Sequence, residues 1–407
     1  PAWRDSCDIA RKPPLITPMG LSLSSAPFSR RNNTQKQFEQ AAVVFIVAVE
    51  ANNMTQIRAA RWKSALELEI SSIELDDPEA GEVQVTIQTA GICGSDLHAF
   101  RNESTREING LVPGHEIAGV VSALGAGVDH VREGDVVGIE PLLRSVVCGK
   151  CRYCLAGEYQ VCTAGRGPGG GLFGEKVDGG MREMGIFPAA AVFPAPSGVD
   201  AELAALAEPL ACSVHGYEKI GLRANQTVLV VGAGTIGLTA LLAAKAAGSH
   251  TIITARHPHQ QEAARRLGAD EVIGDDEAGR ARLDELAAQE AIDVAVETVG
   301  GRADTLIQSQ RAVRRMGTVI VIGIFTDRLA TIDALDMVLR ELNIIGAIIY
   351  SAPTGIAEYA MALDMLADHA DVARTLVTHR FPLEQANDAF VTALDKSSNS
   401  IKVHINP

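Results

Sequence analysis

The sequence predicts an α/β chain of two textures, one β-rich and irregular, the other a doubly wound parallel sheet. Three observations predict it. Between Thr227 and Gly346 short apolar runs alternate with helix-like ones. A glycine-rich hexapeptide, GAGTIG at residues 232–237, stands at the first strand-to-helix junction of that stretch. From Ile57 to Ala205, by contrast, β-rich runs are punctuated by Gly, Pro and Asp. Strand–helix alternation implies parallel strands with helices on both faces. Frequent turn residues between short strands imply a partly closed β unit instead.

Taken in order, residues 83–89, 117–121 and 136–139 read as strands of the first texture. Residues 227–231 are apolar and β-branched, a buried strand, and the Ala/Leu-rich residues 235–247 a helix. A strand at 251–254 and a helix at 259–267 repeat the pattern, and apolar strands follow at 293–297, 318–322 and 344–349. The tail carries helix-like runs at 355–367 and 383–394 and an alternating strand at 401–405. No internal repeat or low-complexity segment is present.

At 407 residues the chain is long enough for two domains. Its 36 Lys+Arg against 50 Asp+Glu give a formal charge of -14, which argues against nucleic acid or an anionic membrane surface as partner. No apolar run approaches the ~20 residues of a membrane span. Residues 1–53 hold a basic stretch, then a short apolar run at 41–49. Asn32 and Asn33 follow Arg30–Arg31 where an export signal would turn apolar. The extension therefore reads as foreign upstream sequence or a disordered tail rather than a targeting peptide.

Two clusters carry chemistry. GICGSDLH at residues 91–98 and GHE at 114–116 supply a thiol (Cys93), two imidazoles (His98, His115), a hydroxyl (Ser95) and a carboxylate (Glu116). Zinc takes such S, N and O donors, and catalytic zinc keeps one position open. Cys93 alone would read as a small buried hydrophobe and His115 alone as a core histidine, but the joint pattern favours a metal. Ser95–Asp96 also suits a helix N-cap. Cys148, Cys151, Cys154 and Cys162 form C-x2-C-x2-C-x7-C, four of the seven cysteines. In a large chain clustered CxxC units read as a closed, structural zinc site in a reducing compartment, with a disulfide pair or iron–sulfur cluster as alternatives. Gly149 and Gly157 ease the wrapping.

The third motif seats a dinucleotide. Gly232 allows the tight turn, Gly234 the approach of a pyrophosphate and Gly237 close helix–strand packing, with Thr235 and Ile236 between them at the helix N-terminus. An acidic residue about 20 positions on normally binds the ribose 2′-OH. Here Ala255 and Arg256 stand at that strand's end. A guanidinium there suits a 2′-phosphate, so NADP(H) is expected over NAD(H); alternatively Arg256 and His257 form a solvated turn. Thr298, Val299, Gly323 and Ile324 end later strands at the sheet's carboxyl edge and are expected to line the cofactor.

With GICGSDLH and GHE the chain resembles the zinc-dependent medium-chain alcohol dehydrogenases, and among them the sorbitol, threonine and butanediol dehydrogenase branch, from about Met54 to the C-terminus. The resemblance implies a GroES-like catalytic domain, residues 54–208 and 347–407 with a structural-zinc lobe at 148–162. It also implies an inserted Rossmann domain at 209–346, because the tail returns to the first domain. Cys93 and His115 would hold the catalytic zinc. The third ligand would be Glu116 or Glu208 (in AEPLAC), where the wider family has a cysteine. Ser95 and then His98 would relay the proton, and homodimers or homotetramers are implied, with residues 344–349 as a candidate seam.

The leading reading is thus a cytoplasmic, zinc-dependent dehydrogenase of a secondary alcohol or polyol, or its ketone, using NADP(H). An NAD-linked threonine or 2,3-butanediol dehydrogenase is the alternative on the same scaffold. A zinc-free quinone reductase or a non-enzymatic dinucleotide-binding protein is the alternative of another class. Such relatives typically lose both donor sets, which this chain keeps. No specificity code is readable in the expected pocket walls after Phe100, at residues 165–174 and around Ile324.

Overall fold

A computed structural model describes residues 54–103, 110–142, 147–164, 171–326 and 329–407. The expected extension 1–53, and residues 165–170 of the glycine-rich stretch, lie outside the described residues.

The chain enters through a hairpin, β1 (Thr55–Ser64) and β2 (Glu67–Leu75), with Ile57 opposite Ile73. In β3 (Glu82–Gly91), Val83, Val85 and Ile87 alternate onto one apolar face, as the period of a strand requires. Helix α1 (Gly94–Phe100) precedes β4 (Glu116–Leu124) and β5 (Val136–Ile139). The cysteine-bearing loop holds α2 (Arg152–Leu155), and β6 (Met184–Pro188), β7 (Val192–Pro194) and α3 (Ala201–Ala204) follow. Helix α4 (Ala207–Glu218) links this texture to the next.

Strict alternation then begins with β8 (Thr227–Val231), α5 (Thr235–Ala246), β9 (His250–Thr254), α6 (Pro258–Arg266) and β10 (Glu271–Ile273). It continues with α7 (Glu277–Ala288), β11 (Ile292–Glu297), α8 (Thr305–Ala312), β12 (Val313–Val321), α9 (Ala334–Leu339) and β13 (Asn343–Gly346). The tail forms α10 (Glu358–Asp368), α11 (Ala370–Ala373), β14 (Val377–Pro382), α12 (Ala386–Leu394) and β15 (Lys402–Asn406).

Among the described residues, six strands pair in the order β10-β9-β8-β11-β12-β13, all parallel. The strand order reverses between β8 and β11, so the crevice outside their carboxyl ends is the place for a ligand. The other large sheet runs β14-β15-β3-β4-β5-β7, with β6 also on β3. β15 pairs antiparallel with β3, His404 opposite Gly91, so the tail does return to the first sheet and the parallel sheet is an insertion.

The parallel-sheet region departs from the sequence reading in two ways. The expected strand 344–349 stops at Gly346, and Ile349 takes φ 55°, the left-handed region that no strand continues through. β10 and helices α7 to α9 were not expected: β10 has only three residues, and α7 is so rich in charge that its apolar face is carried by Leu283 and Leu286.

One core lies between α4, α5, α10 and the parallel sheet, built from Leu210, Val214, Leu241, Val230 and Leu363 among others. A second seats α1: Phe100, wholly buried, has its ring 5.0 Å from Phe390 of α12 and 6.2 Å from Trp62 of β1. Burial of such side chains at ~25 cal/mol per Å² fixes the helix that Cys93 caps.

Candidate active site

The two sequence motifs meet because β3 and β4 are paired, with Gly91 opposite Glu116. Cys93 is the N-cap of α1, where its backbone is still extended. Ser95 and Asp96 therefore fall inside the first turn, a correction to their reading as the cap. Asp96 reaches back instead: its Oδ2 accepts from the Cys93 N–H at 3.0 Å, and its Oδ1 lies 3.6 Å from His115 Nδ1. Asp96 is fully buried, and one carboxylate thus orients both donors.

The donor atoms of Cys93, His115 and Glu116 lie within 4.8 Å of one another. Burial alone would lower the His115 imidazole, but the negative charges of Asp96 and Cys93 hold it well above its usual range. A cation is what this pocket favours. Glu208, on α4, is buried beside this trio but outside it, 4.0 Å from Cys212 Sγ one helical turn on. Burial pushes its carboxyl up to about 7, His115 opposing and Glu116 reinforcing the shift.

The roles of two residues here, Lys402 and Asp96, were not read from the sequence. Lys402 of β15 is fully buried and its ammonium donates to both Glu116 oxygens, each at 2.6 Å, and to Ile92 O at 3.0 Å. Burial disfavours its charge, yet Glu116, together with Cys93 and Glu208, outweighs that and raises the group. Gly91 makes this approach possible, since a Cβ there would stand 1.9 Å from Glu116 Oε2. Asp96 could have been found from its spacing three residues after an N-cap. Lys402, separated by 286 positions from its partner, offered no local signal.

The expected relay groups lie on α1. Ser95 is half-buried, and His98, at 33% side-chain exposure, has Nδ1 3.4 Å from both Glu103 and Arg101.

The four-cysteine loop closes on itself. Cys151 Sγ is 3.5 Å from Cys154 Sγ and 3.9 Å from Cys162 Sγ, and Cys148 Sγ is 3.9 Å from Cys154 Sγ. Thiolates on tetrahedral zinc at 2.3 Å stand about 3.8 Å apart, whereas a disulfide needs about 2.05 Å. All four are free thiols, so the disulfide alternative fails. Backbone N–H groups of Cys154 and Thr163 pull Cys151 down to about 5, and desolvation with the neighbouring thiols pushes Cys154 up to about 12. The donor set suits a soft divalent ion. Gly149 and Gly157 take φ 66° and 77° in this wrap.

At the crevice of the parallel sheet, Gly232 has φ 101° and its N–H donates to Thr254 Oγ1 at 2.9 Å. A Cβ on Gly237 would strike Gly232 O at 2.0 Å, while the Cβ direction of Gly234 is open. Thr235 Oγ1 donates to Ile401 O at 3.0 Å, and Ile236 O accepts from Thr239 Oγ1 on the same helix. Thr298 Oγ1 donates to Val231 O, Val299 stands exposed beside Gly232, and the Ile324 carbonyl accepts from Gly301 N–H, with Gly323 close against Glu297. The expected cofactor residues therefore gather on one sheet edge. Arg256 is exposed and its Nε is 2.6 Å from Asp275.

The family model for the alcohol dehydrogenase GroES-like domain matches residues 79–197, and that for zinc-binding dehydrogenases matches 235–368. The chain is 30% identical over 356 residues to a sorbitol dehydrogenase of Bacillus subtilis, covering 86% of this chain and 97% of the relative. It is similar to the structure of a zinc-binding dehydrogenase from Sinorhizobium meliloti bound to NADP, with TM-score 0.76 and 26% identity over 87% of this chain and 100% of that one. It is also similar to a short chain alcohol dehydrogenase from Escherichia coli complexed with NADH, with TM-score 0.74 and 26% identity over 87% and 100% of the two chains.

Proposed function

The chain belongs to the zinc-binding alcohol dehydrogenases built on a GroES-like domain, and from that premise we propose that it interconverts a secondary alcohol or polyol and its ketone by hydride transfer with a nicotinamide cofactor. One observation carries the reading. The glycine loop bonds through Thr235 to Ile401, and the next residue, Lys402, grips Glu116 of the Cys93–His115–Glu116 cluster. Hydride acceptor and hydroxyl activator thus have seats joined through two consecutive residues.

In this reading Cys93, His115 and Glu116 hold the catalytic ion, with Glu208 as the carboxylate beside it, and the four cysteines hold a second, structural zinc. Bound there, zinc supplies the Lewis acidity that makes a substrate hydroxyl acidic. Asp96 faces His115 Nδ1 and holds the ring's direction through its charge. Ser95 accepts the proton and His98 passes it outward, as two residues three apart on one helical face. Arg256 supports NADP(H) as the preferred cofactor.

The catalytic domain comprises 54–208 and 347–407, and the nucleotide domain 209–346. Free thiols in the cysteine lobe favour a reducing compartment, the cytoplasm. Among the described residues no helix is long and apolar enough to cross a membrane. Leu335, Val338 and Leu339 are exposed on α9, which precedes the edge strand β13; such an apolar face favours a homo-oligomer.

The test is a screen of secondary alcohols, polyols and amino alcohols with both cofactors, alongside metal analysis. Absence of zinc from the purified chain, with no turnover after zinc is added, would overturn the reading.

A further inference from the structure

We infer that Asp275, at the end of β10, supplies the ribose-facing carboxylate that the end of β9 lacks, and so limits the preference for a 2′-phosphate that Arg256 creates. The inference rests on the reading of residues 232–256 as the cofactor's seat.

The register of the strands carries it. Val231 of β8 is level with Thr254 of β9, and Thr254 with Ile273 of β10. The Ala255 N–H donates to Ile273 O at 2.8 Å, which keeps the two chains together past their last paired residues. Two positions beyond Thr254 and Ile273 stand Arg256 and Asp275, with Arg256 Nε 2.6 Å from Asp275 Oδ2 and Arg280 Nη1 at 4.0 Å. The neighbouring acid, Asp276, is committed elsewhere, since its side chain accepts from Gly279 N–H at 2.8 Å and caps α7. Asp275 alone of the two is available to a ligand.

Both partners are open to water, at 72% and 46% side-chain exposure. An ion pair so exposed is weak and exchanges easily. A 2′-phosphate draws Arg256 away from Asp275 and leaves a carboxylate facing a dianionic group. A 2′-hydroxyl can instead donate to Asp275 while the ion pair persists. The same pair of side chains therefore accepts both cofactors, Arg256 favouring the phosphate and Asp275 opposing it. Ala255, buried at the strand end, contributes no charge to either side.

The experiment is a titration of the full chain with NADPH and with NADH, following nicotinamide fluorescence, for the parent protein, Asp275→Asn and Arg256→Ala. Both substitutions lie on the surface, and thermal melts check that the variants are folded. Asp275→Asn is expected to tighten NADPH relative to NADH by about tenfold. Arg256→Ala is expected to weaken NADPH by a similar factor and NADH less. A Kd ratio for Asp275→Asn within about twofold of the parent, or weaker NADPH binding, overturns the role of Asp275. In that case Arg256→Ala still reports on the seat itself: unchanged NADPH affinity in that variant removes the underlying assignment as well.

Discussion

Lys402 and Glu116 form a buried ion pair, the ammonium 2.6 Å from each carboxylate oxygen, with both side chains 1% exposed. Its third donor goes to Ile92 O, so the lysine's hydrogen-bonding capacity is spent within the site. Removing one partner of such a pair strands the other charge in a medium that cannot solvate it. Lys402→Met is accordingly expected to lower the stability of the metal-free protein by about 3–5 kcal/mol. Added zinc should return part of that loss, because a cation at Glu116 replaces the missing ammonium. Urea denaturation with and without zinc measures both effects, and an equal loss in the two conditions would contradict the arrangement.

The two thiol sites separate by their consequences. Cys93→Ala is expected to reduce bound zinc from about two per chain to about one and to abolish turnover, while NADPH binding survives. Cys151→Ala should show the same drop in metal but appear mainly as lost stability or solubility, since a closed site tethers a lobe and touches no substrate. Metal analysis combined with cofactor titration distinguishes them.

Asp96 acts through Cys93 and His115, which predicts an effect on metal affinity rather than on fold. Asp96→Asn retains an acceptor for the Cys93 N–H but loses the charge facing His115 Nδ1. Zinc affinity should fall about 10–100-fold, as read by competition with a chromophoric chelator. Unaltered affinity would show that the carboxylate is only a cap for α1.

Asp270 gives the nucleotide-binding sheet an acid-sensitive joint. Burial works against its ionised form. The Thr251 N–H at 2.7 Å, the Thr251 hydroxyl and Lys245 Nζ outweigh that and hold it below its usual range. A lowered folded value means the contribution is complete above the unfolded pKa of about 3.9 and disappears as pH falls through the folded value. Asp270→Ala should cost about 1–2 kcal/mol at pH 7, and the difference from the parent should narrow below about pH 4. Urea midpoints at the two pH values test the sign.

Much of the fold was legible because periodicity is local. β8, α5 and the glycine turn announced themselves within eleven consecutive residues, 227–237, each signal reinforcing the next. The helix α7 did not, because its exposed face is charged and its buried face holds few apolar residues. At the site, the gathering of the four cysteines was readable from their short, repeated spacing, and that of Cys93 with His115 from two motifs on neighbouring strands. Lys402 was hidden because a lysine on an alternating strand normally faces water. Its burial depends on β15 pairing with β3, a contact that no local pattern encodes. Asp275 was hidden for a related reason, since its meaning lies in being level with Arg256 across two parallel strands.

β15 touches the glycine loop at Ile401 and the metal cluster at Lys402. During synthesis, a nascent chain that has emerged only as far as Leu394 already contains every expected metal donor and the whole dinucleotide motif. It still lacks the cation that neutralises Glu116 and the carbonyl that receives Thr235. Neither seat is complete until the strand 402–406 lies beside β3.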